Sequence, residues 1–402
     1  MIGLYTTRST CRVCGSRDLS LVMSYGDMPL AGGFVTRDNP KAHMKFPLDL
    51  LVCNECTLMQ TGQDIHPDLM FSQYSYISGS SPSLVEHFRH LASSLSNRFS
   101  SRERVYIDVG CNDGTLIRFM KSLGEEMILG IDPSDVALEA SKRDNWDLVN
   151  DYLSPSIADE VVNTYGASYL VTACNVLAHN PYPHPVVEGL RRLVERDGII
   201  VAEVHYQYNL LKLNQFDTVY HEHTCYYSLR SLMKLFSAHD LEIWGLTFIE
   251  NHGGSIRIFA SPKNHNHMYN DQILKVALHI EHDYDWRSFK ENALRVRENL
   301  LNEIADVDGS IWAYGASGRS TILLNWCGLI EEDIPFVLDR SPLRVGKVVP
   351  GVMIPIEDVS ALNQIHPSTL LITAWNYAES IKRQHPNFDG KWLVPLPEVK
   401  YL

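Results

Sequence analysis

One stretch of the sequence decides the fold class: Val105-Tyr-Ile-Asp-Val-Gly-Cys-Asn-Asp-Gly-Thr115, followed by a helical pattern and then Leu129-Gly-Ile-Asp132. It has the pattern of an apolar strand, a glycine turn, a helix and a second apolar strand that ends in an acidic residue. This order opens nucleotide-binding α/β folds, in which the turn and the acid face a bound nucleotide. The stretch therefore predicts an α/β fold with a nucleotide-type ligand.

The glycine spacing of this turn narrows the ligand. A dinucleotide fingerprint would be G-x-G-x-x-G, whereas residues 110–114 are Gly-Cys-Asn-Asp-Gly, with Asp108 just before them. The carboxylates of Asp108 and Asp113 would repel a diphosphate, but they suit a ligand that carries an ammonium and a sulfonium. Asp132 would accept hydrogen bonds from ribose hydroxyls. S-adenosylmethionine fits these requirements, and an ordinary βαβ turn without a ligand is the alternative.

Length, composition and charge limit the class of protein. A chain of 402 residues suggests two or three domains, each able to bury its own core. The formal charge of -13 disfavours a nucleic-acid partner, because such a partner requires a basic surface. The sequence shows no signal peptide and no apolar run of about 18 residues. We therefore expect a cytoplasmic protein with no membrane partner.

Two pairs of cysteines near the N-terminus predict a metal site. Cys11-x-x-Cys14 and Cys53-x-x-Cys56 are separated by 38 residues. Four thiolates match tetrahedral zinc, and a closed four-sulfur site is structural because no position stays open for substrate. The absence of an export signal also favours metal ligands over disulfides. Four unligated or disulfide-bonded cysteines are the alternative.

Strand and helix patterns alternate through the middle of the chain. Residues 105–109, 127–131, 170–173 and 198–204 are strand-like, with helical patterns between them. This alternation predicts a mainly parallel, doubly wound sheet with ligands at the carboxyl ends of its strands.

Two segments flank this region. Residues 71–82 are rich in serine, tyrosine and glycine and form either a plain linker or a lid over the cofactor. Residues 271–305 have an amphipathic pattern that predicts a long helix bridging two domains.

The C-terminal part repeats the α/β pattern. Ile311-Trp-Ala-Tyr-Gly-Ala-Ser-Gly-Arg-Ser320 predicts a strand, a glycine turn and a helix, residues 334–339 a second strand ending in Asp339, and residues 369–374 a third strand. The turn is small and neutral and contains Arg319, so it suits phosphate better than the first turn does. A second Rossmann-like unit suggests a second nucleotide-bearing ligand, and a degenerate structural repeat is the alternative.

The densest group of titratable residues, Tyr220-His-Glu-His223, lies between the two units. It is not H-E-x-x-H and lacks the geometry of a zinc protease. In an extended segment, Tyr220 and Glu222 would share one face, with both histidines on the other. Histidine suits proton removal near neutral pH, and a tyrosine hydroxyl can donate to a developing oxyanion. The cluster predicts proton abstraction beside a carbonyl, with structural hydrogen bonds or a second metal site as alternatives.

Two other segments supply candidate residues. His179 follows the strand at 170–173, where the carboxyl end of that strand would open onto the pocket, although its position alone favours a helix-capping or core histidine. Asn251-His-Gly-Gly-Ser-Ile-Arg257 supplies two glycines and an arginine before a strand. This segment would either bind an anionic group or form a hairpin.

The combined motifs resemble the S-adenosylmethionine-dependent nucleotide-sugar C-methyltransferases that make branched deoxysugars. That family has an N-terminal zinc module, a central methyltransferase domain and a C-terminal domain that helps to hold the nucleotide sugar. The C-terminal turn differs, because it reads Gly318-Arg319-Ser320 where the family usually has Ala-Lys-Gly. The motifs that carry the resemblance span nearly the whole chain: the two cysteine pairs, Tyr74-Ser-Tyr76-Ile-Ser-Gly-Ser80, Gly110-Cys-Asn-Asp-Gly114, Asn175–His179, Tyr220-His-Glu-His223, His252-Gly-Gly-Ser255, Asp339-Arg-Ser-Pro342 and Ala374-Trp-Asn376.

The resemblance implies a reaction and residue roles. A 4-keto nucleotide sugar would lose a proton from the carbon beside its carbonyl, and the resulting enolate would attack the methyl sulfonium. His223 would be the base, Tyr220 and His179 would stabilise or relay charge, and Glu222 would orient the site. Cofactor contacts are implied for Tyr76, Asp108, Gly110, Asn112, Asp113, Gly114, Asp132 and Asn175. Substrate contacts are implied for Tyr74, His252, Ser255, Arg257, Arg319, Asp339, Arg340 and Asn376.

We therefore expect an α/β protein of three domains: a zinc-binding module over 1–70, a Rossmann-like methyltransferase domain over 71–265 and a Rossmann-like nucleotide-sugar-binding domain over 266–402. The expected ligands are S-adenosylmethionine, one structural zinc ion and a keto nucleotide sugar that is methylated at a ring carbon, C-3. We expect a monomer or a small homo-oligomer. Two alternatives stay open: an O- or N-methyltransferase acting on a small metabolite, and a non-catalytic zinc-containing scaffold.

Overall fold

The computed structural model describes residues 3–70, 77–99, 104–268, 270–282 and 285–402. Residues 71–76 of the segment that forms either a linker or a lid, including Tyr74 and Tyr76, lie outside the described residues. Within the described ranges, no helix has the length and apolar character needed to cross a membrane.

Short strands form the N-terminal part of the chain. Its elements are β1 (Tyr5–Thr7), β2 (Leu19–Pro29), β3 (Lys45–Cys53), β4 (Met59–Thr61), β5 (Gln63–Ile65) and the short helix α1 (Pro67–Met70). Strands β2, β3 and β4 pair antiparallel, and β1 pairs separately with β5. Buried residues alternate with more exposed ones along β3, because one face of this sheet packs on the core.

Alternating helices and strands form the central part. Its elements are α2 (Pro82–Phe99), β6 (Tyr106–Val109), α3 (Thr115–Ser122), β7 (Ile128–Ile131), α4 (Asp135–Asp144), β8 (Asp147–Val149), α5 (Pro155–Tyr165), β9 (Ser168–Cys174), α6 (Pro183–Leu193), β10 (Val194–His205), α7 (Gln207–Lys212), β11 (Cys225–Tyr226), α8 (Leu229–Ser237), β12 (Leu241–Ile249) and β13 (Ser255–Pro262). Seven of these strands make one sheet in the order β12-β13-β10-β9-β6-β7-β8.

The order of this central sheet positions the ligand site. Strands β8, β7, β6, β9 and β10 are parallel, whereas β13 runs antiparallel between β10 and β12. The chain reverses its direction of winding between β6 and β9. Ligands of doubly wound sheets bind outside the carboxyl ends of the strands at such a reversal, and the 110–114 turn follows β6 there.

A second parallel sheet forms the C-terminal part. Its elements are α9 (Asp271–His282), α10 (Phe289–Ala305), β14 (Ile311–Tyr314), α11 (Gly318–Cys327), β15 (Val337–Asp339), β16 (Ile356–Asp358), β17 (Thr369–Ile372), α12 (Ala378–Gln384), β18 (Lys391–Val394) and β19 (Lys400–Tyr401). The strand order is β16-β15-β14-β17-β18-β19, and only β19 of these six is antiparallel to its neighbour. Two Rossmann-like sheets are thus present, as the sequence predicts.

The prediction of one long helix over residues 271–305 is wrong, because the described chain forms two helices, α9 and α10. Asp285 Oδ1 accepts a hydrogen bond from the backbone N–H of Arg287, and the Ser288 hydroxyl donates to the Asp285 carbonyl. These local side-chain bonds compete with the helical pattern at the start of α10. Helix α9 packs on β12 of the central sheet, while α10 contributes to the C-terminal core.

The N-terminal part packs against both Rossmann-like sheets. Residues of β2, β3 and β4 share a core cluster with the C-terminal sheet, and the cysteine pairs share another with the central sheet. Strand β11 joins the two parts directly, because it pairs antiparallel with β4. The three domain ranges given above stay a prediction.

Candidate functional site

The four predicted zinc ligands lie together. Their Sγ atoms are all within 4.8 Å of one another, with 3.4 Å between Cys11 and Cys56 and 3.5 Å between Cys14 and Cys53. Tetrahedral zinc with bonds of about 2.3 Å holds its sulfur ligands about 3.8 Å apart, so the four thiols fit the ion. They are free cysteines, so the disulfide alternative is wrong.

Each cysteine pair sits in a tight turn of the same form. The N–H of Gly15 donates to the Cys11 carbonyl, and the N–H of Thr57 donates to the Cys53 carbonyl. Gly15 and Thr57 have φ values of 73° and 64°. This left-handed residue after the second cysteine reverses the chain, which lets both thiols of a pair face one centre. The hydrogen bond between Cys56 and Cys11 lowers the pKa of the Cys11 thiol and raises that of Cys56, while burial raises the pKa of Cys53 to about 11.

The predicted cofactor turn joins β6 to α3 through two glycines. Gly110 has a φ of 70°, and a Cβ atom there would lie 2.4 Å from Val176 Cγ2. Gly114 has a φ of 72°, and its Cβ would lie 3.0 Å from the Trp146 ring. Both positions need glycine, because the backbone is left-handed and neighbouring side chains fill the space.

The acid after the second strand holds this turn in place. Asp132 accepts hydrogen bonds from the backbone N–H of Asn112 at 2.9 Å and from the N–H and hydroxyl of Ser134 at 2.8 and 2.5 Å. Its carboxylate therefore lies at the carboxyl end of β7, beside the 110–114 turn, where the sequence predicts a ribose contact. This contact stays a prediction.

The turn also contacts the chain just before α2. Asn112 Oδ1 accepts from the N–H of Ser78 at 2.9 Å, and Asp113 Oδ2 accepts from the N–H of Gly79 at 3.2 Å. Asp113 Oδ1 accepts from the Thr115 hydroxyl at 2.7 Å. The described end of this linker or lid segment is thus fixed to the acidic turn.

Buried acids lie behind the turn. Asp108 accepts a hydrogen bond from the Thr172 hydroxyl at 2.6 Å, and burial raises its pKa to about 7. Glu203 on β10 is paired with His87 at 2.7 Å and with Arg257 at 2.6 Å. The Arg257 guanidinium, a predicted substrate contact, is therefore paired with a carboxylate of the protein.

The segment at residues 220–223 is a turn, so the prediction that Tyr220 and Glu222 share a face is wrong. The backbone N–H of His223 donates to the carbonyl of Tyr220 at 3.0 Å. A turn closed in this way places the first and fourth side chains together. Tyr220 Oη lies 2.8 Å from His223 Nε2, and the two rings stack with centroids 4.0 Å apart.

The protonated nitrogen of His223 follows from its partners. His223 Nδ1 lies 3.2 Å from the Thr218 carbonyl, which can only accept, so Nδ1 carries the proton. Nε2 then keeps its lone pair and faces the Tyr220 hydroxyl. Burial, followed by the nearby His179 and His205, holds the pKa of His223 well below its usual value. The pair therefore offers a neutral imidazole as a proton acceptor.

His179 lies beside this pair. Its ring centroid is 4.7 Å from that of His223, and its Nδ1 donates to the Glu222 carbonyl at 3.0 Å. Burial lowers the pKa of His179. His179 lies in a short 3-10 helix, Leu177–His179, that follows β9, so the carboxyl end of the strand brings it to the site.

Glu222 and His221 point away from the pair and into the N-terminal part. Glu222 Oε1 accepts from the N–H of Gly32 at 2.8 Å, and His221 Nε2 donates to the Pro47 carbonyl at 3.0 Å. Burial raises the pKa of Glu222 and lowers that of His221 to about 4. The Glu222 carboxylate thus anchors the turn to the N-terminal part, while the Glu222 carbonyl accepts from His179.

The C-terminal glycine turn approaches the same pair. A Cβ atom at Gly318 would lie 3.3 Å from the Tyr220 ring. Arg319 Nη2 donates to Gln215 Oε1 at 2.9 Å, and its guanidinium lies 5.2 Å from the Trp375 ring centre. Arg319, predicted to contact substrate, therefore lies at the junction between the two sheets.

The remaining candidates are spread around the two turns. Asp339 ends β15 and accepts from the N–H of Ala316 at 2.8 Å. Ser255 is buried at the start of β13, and its hydroxyl donates to the Asn251 carbonyl at 3.3 Å. Asn175, Arg340 and Asn376 follow the carboxyl ends of β9, β15 and β17.

Sequence reasoning missed three buried polar residues at this junction. His205 Nε2 donates to Gln215 Oε1 at 3.0 Å, the atom that also accepts from Arg319. Asp217 accepts from the Trp375 indole N–H at 2.8 Å. His205 ends β10, so its place at a carboxyl strand end would have flagged it, whereas Gln215 and Asp217 have no such signal.

Comparison with known proteins decides the family. C-methyltransferase NovU from Streptomyces niveus is 32% identical over 405 residues, which cover 98% of this chain and 96% of that protein. The chain belongs to the C-methyltransferase family. Family models match residues 11–71 ("Putative zinc binding domain"), 84–246 ("Methyltransferase domain") and 250–397 ("C-methyltransferase C-terminal domain").

Solved structures resemble part of this C-methyltransferase. A SAM-dependent methyltransferase from Anabaena variabilis is 17% identical, with a TM-score of 0.35, over 44% of this chain and 84% of that one. Magnesium protoporphyrin IX methyltransferase from Synechocystis, with bound SAM, is 12% identical, with a TM-score of 0.33, over 45% of this chain and 79% of that one.

The C-methyltransferase therefore uses S-adenosylmethionine and carries a zinc-binding module, as the sequence predicts. The residues fit both zinc and S-adenosylmethionine. Four clustered thiols suit zinc, and an acidic, glycine-rich turn at the carboxyl end of β6 suits the methyl donor. The non-catalytic scaffold and the O- or N-methyltransferase alternatives do not agree with this family.

Proposed function

We propose that the protein methylates a ring carbon, C-3, of a 4-keto-deoxy nucleotide sugar through an enolate, in the synthesis of a branched sugar. The observation that carries this proposal is the buried Tyr220–His223 pair, 2.8 Å between Tyr220 Oη and His223 Nε2, at the junction of the two Rossmann-like sheets. A carbon acid beside a carbonyl needs a base to become a nucleophile, whereas many hydroxyl and amine acceptors do not need a buried one.

The proton moves from the sugar carbon to the side chains of this pair. His223 Nε2 is the acceptor, because Nδ1 already donates to the Thr218 carbonyl. When the sugar binds, the Tyr220 hydroxyl would turn its hydrogen bond from His223 Nε2 to the carbonyl oxygen on which negative charge develops, which leaves the Nε2 lone pair free to take the proton from carbon. His179 lies beside the ring of His223, where it stabilises the developing charge or relays the proton. S-adenosylmethionine, when bound, supplies an electrophilic methyl group.

Low pKa values at the histidines support this role. Burial keeps the pKa of both His223 and His179 below the usual value, so both are neutral at neutral pH. A neutral base needs no prior loss of a proton. The proton that it takes from carbon creates a buried cation, which the developing enolate stabilises while both charges share the site.

The nucleotide part of the substrate is assigned to the C-terminal sheet. Its glycine turn and Asp339 lie at the carboxyl ends of β14 and β15, which is where doubly wound sheets bind nucleotides. The turn also faces Tyr220 through Gly318. A sugar linked to a diphosphate would extend from this turn to the catalytic pair.

Deuterium exchange tests the carbon-acid step. We expect the native enzyme, with 4-keto-deoxy sugars carried on uridine, thymidine, guanosine or cytidine diphosphate, to exchange the C-3 proton in deuterated water. His223→Ala should lose exchange and methylation by about 10²–10⁴-fold. Tyr220→Phe should lower turnover without changing the affinity for S-adenosylmethionine, measured by calorimetry.

Two results would overturn the proposal. One is native turnover in His223→Ala, which would remove the base. The other is a product that carries its new methyl group on oxygen or nitrogen, identified by NMR and mass spectrometry. Arg191→Ala, in the last turn of α6, is the control for general effects of substitution.

A further inference from the structure

Arg12 lies between the first two zinc ligands, yet its side chain contacts the loop that carries His179 directly and the segment that carries His223 through Thr61. Its side chain is 0% exposed. One guanidinium nitrogen, Nη2, donates to the carbonyl and hydroxyl of Thr61 at 3.0 and 3.1 Å. The other, Nη1, donates to the Pro181 carbonyl at 3.1 Å and pairs with Asp64 at 2.6 Å.

The Thr61 contact leads to His223. Thr61 ends β4, and its N–H donates to the carbonyl of Thr224, the residue after His223, at 3.1 Å. The neighbouring residues of β4 pair with β11, with Gln60 opposite Cys225. The backbone N–H of Arg12 donates to the Gln60 side chain at 2.8 Å, which fixes the arginine to the same strand.

The Pro181 contact leads to His179. Pro181 follows His179 by two residues, and the loop is closed by a bond from the N–H of Thr224 to the Ala178 carbonyl at 2.8 Å. Thr61, Thr224, the 178–181 loop and Arg12 thus form a closed ring of hydrogen bonds. Because a guanidinium donates in fixed directions, it sets the distance between its two partners.

We propose that Arg12 is a positioning residue that fixes His179 and His223 relative to each other, a role that rests on the proposed function of these histidines. The zinc-binding module then does more than stabilise the fold. Its two turns anchor the backbone of Arg12 and the start of β4, and the guanidinium transmits that rigidity to both histidine loops.

Arg12→Met tests the role, because methionine fills similar space without the hydrogen bonds. A shift of about 1 Å between reacting groups can cost about 10²-fold in rate, so we expect kcat to fall by about 10–10²-fold. Zinc content by elemental analysis and S-adenosylmethionine affinity by calorimetry should stay native. Arg12→Lys keeps a charge near Asp64 but loses the planar guanidinium with its two donating nitrogens. Its kcat should fall by about tenfold.

Arg8→Met is the matched control. Arg8 also pairs with Asp64, at 2.8 Å, and donates to the Pro181 carbonyl at 3.3 Å, but within the described residues its side chain has no hydrogen bond to Thr61. We expect its kcat to stay within about twofold of native. If Arg8→Met and Arg12→Met lose the same activity, the link through Thr61 has no role.

Histidine NMR separates this inference from the proposed function. In protein labelled with ¹⁵N-histidine, Arg12→Met and Arg12→Lys should change the tautomer signals of His179 and His223, assigned through His179→Ala and His223→Ala. Unchanged signals, or a loss of kcat that is matched by a loss of zinc, would overturn the positioning role. Native turnover in His223→Ala would instead overturn the proposed function. The NMR signals would still report whether Arg12 positions the two histidines.

Discussion

The glycine turn of the central sheet, residues 110–114, and that of the C-terminal sheet, residues 315–319, share one backbone plan. In each, the acid that ends the second strand accepts an N–H from the turn: Asn112 to Asp132 at 2.9 Å, and Ala316 to Asp339 at 2.8 Å. Each acid also accepts the N–H two residues further along, from Ser134 and from Ser341. The same carboxylate bonds thus build both turns.

The side chains of the two turns differ in charge. Residues 108–114 of the central part carry two acids, Asp108 and Asp113, and no basic residue, although Arg118 of α3 pairs with Asp113 at 3.4 Å. The C-terminal turn has Ser317, whose side chain caps α11, followed by Arg319. By our proposal, the shared backbone provides for a nucleotide-type ligand and the charges select which one: a cationic methyl donor at the first turn and a nucleotide diphosphate at the second.

Valine at the first glycine of each turn gives the largest expected effect. Gly110→Val would place its Cβ 2.4 Å from Val176 Cγ2, and Gly315→Val would place its Cβ 2.7 Å from Ala374 Cβ. We expect Gly110→Val to abolish S-adenosylmethionine binding in calorimetry. Gly315→Val should retain that binding but lose methylation of the nucleotide sugar.

Gly166→Val controls for backbone strain in this comparison. Gly166 has a φ of 83° and no atom within 4 Å of its Cβ position. It should lose some stability in thermal unfolding while both ligands still bind. Should Gly110→Val bind the methyl donor with native affinity, the central turn would not be its site.

Replacing Asp132 or Asp339 should have a smaller effect, and each replacement should affect a different ligand. Asp132→Ala should weaken S-adenosylmethionine binding by about 2 kcal/mol, roughly thirtyfold in Kd, because charge-assisted hydrogen bonds are lost. Asp339→Ala should leave that Kd unchanged and raise the KM of the nucleotide sugar. If both variants weaken the same ligand, the two turns do not serve two ligands, and the comparison fails.

The smallest expected effect is the electrostatic influence of Arg319, in the C-terminal turn, on the pKa of His223. Burial, His179, His205 and also Arg319 lower the pKa of His223. Because the base must be unprotonated, Arg319→Gln should raise this pKa and move the acid limb of kcat/KM to higher pH, so that activity is lost earlier on acidification. Arg319→Lys keeps the charge and should leave the limb in place. Identical limbs in all three proteins would show that Arg319 has no electrostatic link to His223.

Local sequence patterns were sufficient to predict features that are built within a few consecutive residues. Gly110, Gly114 and Asp132 follow from strand–turn–helix spacing, and the four cysteines follow from two C-x-x-C pairs, because each turn is built within a few residues. The prediction of one helix over 271–305 was wrong because it used only the amphipathic pattern. The local hydrogen bonds of Asp285 with Arg287 and Ser288 compete with a continuous helix there.

The sequence by itself determined the fold class, the acidic and the neutral glycine turns, the zinc ligands and the presence of a histidine–tyrosine cluster. Only the three-dimensional structure showed that a turn pairs Tyr220 with His223, that Arg319 meets Gln215, and that Arg12 bonds to both Thr61 and the loop of His179. The contacts of Arg319 and Arg12, unlike the local Tyr220–His223 pair, join residues up to 169 positions apart. Spacing along the chain carries no information on such pairs, because they are set by how the sheets and the zinc-binding module pack together.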